Sequence, residues 1–165
     1  MNIEQFISDL ITRMGFVNSE ATKQFLRDWI RHERRAKGKP HGFNPLNTTY
    51  NLSADKGATN FNYANVKNYS TYAYGLEATA KTLGLRYYRD LVNYLKGIQT
   101  TPEKVAANIR IWGTIPFANS ISKPTTGANA NKVYKPYPLP IIALAVLLIA
   151  LFFIYPLLTQ SNYYV

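Results

Sequence analysis

Apolar positions recur every three or four residues over the first third of the chain. Ile3, Phe6, Ile7, Leu10, Ile11 and Met14 follow a helical period that stops at Gly15, which predicts an amphipathic helix. Asn18 or Ser19 can cap the next helix, and Glu20 lies in its first turn, where the helix dipole favours negative charge. This second helix is predicted to run to about Ala36. On it Thr22, Leu26, Trp29, Ile30 and Glu33 stand three and four apart and so share one face. A carboxylic acid thus ends an apolar stripe, behind a tryptophan.

The period is lost over residues 37–68, where Gly, Pro, Asn, Asp, Ser and Thr dominate. Turns and a small irregular hairpin are expected there, with short runs such as Thr48–Leu52 and Phe61-Asn62-Tyr63. A loop this long inside a small domain is usually functional or disordered. Its aromatic and asparagine content predicts an ordered, ligand-facing loop. Ser70 or Thr71 caps a third helix, with Tyr72, Leu76, Thr79, Ala80 and Leu83 in period and Gly84 at its end. Arg86–Leu95 predicts a fourth, with Tyr87, Leu91, Tyr94 and Leu95 inward. Thr101-Pro102-Glu103 opens a last short helix that reaches Trp112-Gly113-Thr114.

From residue 115 to 138 the chain is rich in Asn, Ser, Thr, Gly and Pro, with Lys123, Lys132 and Lys135 as its only charges; a flexible linker is expected. Leu139–Leu158 is apolar apart from Pro140, Pro156 and the Tyr155 hydroxyl. Twenty such residues in a helix span roughly 30 Å, about one hydrocarbon core. Tyr134 and Tyr137 precede the stretch, and Tyr155, Tyr163 and Tyr164 lie at its far end, as in interfacial belts. The fold class expected is mainly α: a helical domain over 1–114, a linker over 115–138, a transmembrane helix over 139–159 and a tail over 160–165. Residues 1–14 carry Glu4, Asp9 and Arg13 among their apolar positions and do not read as a signal peptide.

Composition narrows the chemistry. The chain has no cysteine and only His32 and His41, so no metal site is expected, and no organic cofactor is indicated. Its net charge of +10 suits an anionic partner: nucleic acid, anionic lipid or a cell-wall polymer. Arg31, Arg34, Arg35, Lys37 and Lys39 cluster around Glu33. Thirteen tyrosines offer stacking faces for bases or sugars alike.

A carboxyl held against an aromatic wall loses hydration in its charged form, which raises its pKa, and a general acid for glycoside cleavage needs that property. Trp29-Ile30-Arg31-His32-Glu33, Asn44-Pro45-Leu46-Asn47-Thr48-Thr49, Val66-Lys67-Asn68-Tyr69, Tyr74-Gly75-Leu76-Glu77-Ala78-Thr79 and Trp112-Gly113-Thr114 follow in that order. The ordered set resembles the lysozyme-like domains of bacteriophage virion proteins, within the wider lytic transglycosylase and glucosaminidase group. The resemblance covers about residues 22–114. It implies a lysozyme-like fold and makes Glu33 the general acid that protonates the glycosidic oxygen of peptidoglycan. It departs from the family at Arg34 and Arg35, where small residues are usual.

A lytic transglycosylase needs one acid, because the sugar's own 6-hydroxyl closes onto the anomeric carbon; a hydrolase usually wants a second carboxylate. Asp55 and Glu77 are the candidates, with a turn role competing for Asp55 and an ion pair to Lys81 competing for Glu77. Asn44, Asn47, Thr48 and Thr49 are expected to hydrogen-bond the substrate, and Tyr69 or Tyr72 to stack on a ring. Ordinary core packing competes for both tyrosines. Two functions follow as expectations. One is a membrane-anchored phage virion enzyme that opens peptidoglycan for genome entry or release, in the virion inner membrane or the host inner membrane. Lysines flank only the amino-terminal side of the span, which favours a cytoplasmic soluble domain; a chain delivered with a virion membrane accommodates that. The other is a structural virion protein tethering membrane to capsid proteins or nucleic acid through its basic domain. An open groove at Glu33 favours the enzyme, and an arginine clamped on Glu33 favours the tether.

Overall fold

The computed structural model describes residues 1–37 and 43–122. The segment 38–42 with His41, the expected linker beyond residue 122, and the expected span at 139–159 lie outside the described residues. Among the described residues no helix is long and apolar enough to cross a membrane.

The domain is mainly helical. α1 (Ile3–Met14) is capped by the Asn2 side chain and closed by Gly15 in the left-handed conformation, φ 65°. Ser19 accepts from the Thr22 backbone N–H at the start of α2 (Glu20–Lys37). The long segment after α2 contains an antiparallel pair, β1 (Thr59–Asn60) and β2 (Lys67–Asn68), in the register Thr59 to Asn68 and Asn60 to Lys67. α3 (Tyr72–Leu83) is capped by Thr71, and Gly84 follows it. A 3-10 turn over Arg86–Tyr88 leads into α4 (Arg89–Leu95). α5 (Pro102–Trp112) opens on Thr101 with proline at the first position, and α6 (Ile115–Ser122) follows directly.

One core joins the helices. Phe6, Ile7 and Leu10 of α1 and Phe25, Leu26, Trp29 and Ile30 of α2 are buried with Leu91 and Leu95 of α4, Ile109 and Trp112 of α5, and Phe117 of α6. The stripe predicted on α2 is its buried face, with Thr22 and Glu33 at the two ends. A small second cluster of Leu52, Tyr69 and Ala78 packs the long loop onto α3. Gly75 makes that docking possible: a Cβ there would stand 1.7 Å from the Phe43 carbonyl oxygen.

Two expectations change. The domain does not end at Thr114, since residues 115–122 are helical and bury Phe117 and Ala118. Gly113, at φ 99°, turns the chain back on α5, and the Phe117 ring lies 5.1 Å from Phe25. The segment reads as linker because it lacks charge, yet Phe117, Ala118 and Ile121 have helical spacing. Tyr87, expected inward, is exposed, and Tyr88 is buried in its place, because the 3-10 turn shifts the phase before α4. The small hairpin expected within residues 37–68 forms at residues 59–68, around the run Phe61-Asn62-Tyr63.

Candidate active site

Glu33 lies in the last turns of α2 and is 0% exposed. The α5–α6 turn and the long loop both reach its carboxyl. Thr114, in the turn between α5 and α6, donates its hydroxyl to Oε1 in a short contact. Trp29, one turn back on α2, donates its indole N–H to that same Thr114 oxygen at 3.1 Å. An indole nitrogen only donates, so the threonine hydroxyl accepts from Trp29 and turns its own proton toward Glu33. From the long loop, the Asn47 amide donates to Glu33 Oε2 at 3.1 Å and to the Glu33 backbone carbonyl at 3.0 Å. Asn47 holds φ 54°, a left-handed conformation that asparagine tolerates. Its Oδ1 is buried without a hydrogen-bond partner among the described residues.

Aromatic rings form the wall behind this carboxyl. Trp29 and Trp112 meet edge to face at 4.8 Å, and Trp112 donates its N–H to the Leu46 carbonyl at 2.8 Å, which pins the loop next to Asn47. Tyr88 packs 5.1 Å from Trp112. Burial pushes the Tyr88 hydroxyl up to about 12, with the negative charges of Tyr87 and Glu33 adding to the effect. Tyr88 therefore lies within the electrostatic reach of Glu33.

The expected substrate-binding residues separate into different roles. Asn44 is buried and braces the loop: its amide donates to the carbonyls of Thr48 and Lys67, both at 2.8 Å, and its Oδ1 accepts from the Thr48 N–H. Thr48 is buried and pairs its hydroxyl with Thr82 of α3 at 2.5 Å. Thr49 is exposed beside them. Among the described residues, Asn47 is the one of these four whose side chain bonds the Glu33 carboxyl. Tyr69 is buried and donates its hydroxyl to the Tyr50 carbonyl at 2.7 Å. Tyr72 donates to Asp9 of α1 at 2.6 Å and packs edge-on against Phe6 and Phe43. Both rings are engaged in packing, Tyr69 buried and Tyr72 half-buried.

The two candidate second acids are committed elsewhere. Asp55 accepts from the Ser70 hydroxyl at 2.5 Å, from the Ser70 N–H at 2.9 Å and from the Gly57 N–H at 3.2 Å. Burial works to raise its pKa, but the bonds from Ser70, Gly57 and Ala58 outweigh burial and hold it below the usual range. This is the turn role that competed for it. Glu77 pairs with Arg13 of α1 at 2.5 Å and with Lys81 at 3.6 Å, the i+4 pair read from the sequence. Of the basic cluster, Arg31 pairs with Asp28 at 2.7 Å and Arg35 is exposed. Among the described residues no group of acidic residues or histidines could hold a metal ion.

Two residues of this centre carried no assigned role in the sequence. Thr114 and Trp112 were visible only as the closing Trp-Gly-Thr of the ordered motif set. Their distance from Glu33 along the chain hid the contact. Comparison with protein-family models, with curated proteins and with solved structures finds no match.

Proposed function

We propose that this domain cleaves peptidoglycan glycan strands, as a lytic transglycosylase or muramidase, with Glu33 as the general acid. The observation that supports it is the single carboxyl at the end of α2, oriented through both oxygens by Thr114 and Asn47 against a Trp29–Trp112 wall. Glu33 protonates the glycosidic oxygen as the bond to the anomeric carbon breaks. In the transglycosylase route its conjugate base then takes the proton of the sugar's 6-hydroxyl, which closes the anhydro ring. The engagement of Asp55 and Glu77 elsewhere favours this one-acid route over hydrolysis with a second carboxylate. Productive binding requires the enclosed carboxyl to become accessible to the glycan. In the same proposal residues 139–159 anchor the domain to a virion or host inner membrane, where it opens the wall for genome entry or release.

Full enclosure of Glu33 favours a second reading. There Glu33 is a structural fastener joining α2, the long loop and the α5–α6 turn, in a virion domain tethering membrane to capsid proteins or nucleic acid. The test is digestion of purified peptidoglycan by the full-length protein, with mass analysis of the released sugars. Anhydro-muramyl ends are the expected product. Reducing ends identify a muramidase instead, and no release across several wall types contradicts the catalytic proposal.

A further inference from the structure

With Tyr69 and Tyr72 engaged in packing, the exposed aromatic face lies elsewhere in the loop. Tyr63, at the tip of the β1–β2 hairpin, is 100% exposed. Its support is ordered. Phe61 N–H bonds the Val66 carbonyl at 2.6 Å across the tip. Asn62 Oδ1 accepts from the N–H groups of Ala64 at 3.0 Å and Val66 at 3.3 Å. Asn65, at φ 60°, accepts from the Asn60 amide, and Asn60 in turn accepts from Lys67 Nζ at 2.8 Å. The Nδ2 groups of Asn62 and Asn65 have no hydrogen-bond partner among the described residues. Tyr63 thus presents its whole ring to solvent on a braced turn, where a ligand can reach it.

The hairpin is also tied to the proposed catalytic centre. The Lys67 N–H donates to the Thr48 carbonyl at 3.2 Å, and Thr48 follows Asn47, which holds Glu33. Tyr63 is four residues from Lys67, a reach of at most about 14 Å. A flat ring beside free amide donors matches the two faces of a sugar: C–H groups for the ring and hydroxyls for the amides. With Val66 buried, the tip displays Asn60, Asn62 and Asn65 beside Tyr63, amides that suit a hydroxyl-bearing ligand better than a lipid interior.

We infer that Tyr63 is a stacking platform for a sugar ring of the glycan strand, at a subsite away from the bond being cleaved, with Asn62 and Asn65 hydrogen-bonding its hydroxyls. The inference rests on the glycan substrate proposed above. It makes Tyr63 a residue for holding polymer, with no part in proton transfer.

The test compares the full-length protein with Tyr63→Ala, Tyr63→Trp and Glu33→Gln, measuring binding to insoluble peptidoglycan and sugar release separately. Tyr63→Ala is expected to weaken binding about 3- to 10-fold, the range of an aromatic contact, with an unchanged thermal midpoint. Tyr63→Trp is expected to restore binding, and its emission to shift when soluble glycan is added. Unchanged binding by Tyr63→Ala overturns the inference, as does absence of peptidoglycan binding by the parent. An emission shift of Tyr63→Trp in phosphatidylcholine/phosphatidylglycerol vesicles without glycan also overturns it, in favour of a lipid contact. Tyr63-dependent binding with no sugar release from the parent upholds this inference while the catalytic proposal fails.

Discussion

At the residue scale the centre depends on directionality. Trp29 can only donate, Thr114 relays, and Glu33 accepts. Thr114→Val keeps the shape, removes the donor to Glu33 and leaves the buried Trp29 N–H without its acceptor. The expected cost is about 2–4 kcal/mol in denaturant unfolding, from a lost bond to a buried carboxyl plus an orphaned donor, together with loss of activity on peptidoglycan. Asp55 supplies a second prediction. Its folded pKa lies below the unfolded value, so its bonds stabilise the fold above the ordinary carboxylate range near 4 and that stabilisation is lost as pH falls through the folded pKa. Asp55→Asn is expected to lower the thermal midpoint at pH 7 and to flatten its decline below pH 4. A decline as steep as the parent's would show that the Ser70 contact does not govern acid stability.

At the element scale the long loop is placed by contacts from α3 and α5. Gly75 lets the Phe43 carbonyl lie directly on α3, and Trp112 holds the Leu46 carbonyl. Gly75→Ala forces that backbone to shift, with an expected cost of about 1–3 kcal/mol, as in overpacked cores. Because Asn47 follows within the same loop, activity should fall with stability, read as lost turnover at temperatures where circular dichroism shows a folded protein. α6 gives the complementary case. Phe117→Ala empties a buried ring site between α2 and α6 and is expected to cost about 3–5 kcal/mol; a surface-like change under 0.5 kcal/mol would contradict the place of α6 in the core. The helices with strong period and caps were legible in the sequence. α1, α2, α3 and α5 follow from their apolar spacing, from Gly15 and from the caps Ser19, Thr71 and Thr101. α6 was not legible as a helix because it has no charged face to mark its period. Tyr87 was misplaced because a 3-10 turn breaks the phase that a continuous helix would keep.

At the scale of the whole molecule, the sequence singled out the Glu33 carboxyl but not the contacts that hold it. Glu33 stood out as a carboxyl on an apolar stripe, and Asn47 stood in the neighbouring motif. Thr114 lies eighty-one residues away in sequence, and only the packing of α5 and α6 against α2 brings it to Glu33. The tyrosines show the same limit: pattern does not tell which of thirteen rings is packed and which is displayed. The net charge of +10 leaves the tether reading its own signature, since binding to nucleic acid should weaken steeply as salt rises. The most direct test of the central claim is Glu33→Gln in the full-length protein, assayed on purified peptidoglycan beside the parent. The account predicts sugar release by the parent and a loss of at least about 100-fold in the variant, the low end for removing a general acid, with both proteins folded by circular dichroism. Equal release by a folded Glu33→Gln would contradict it.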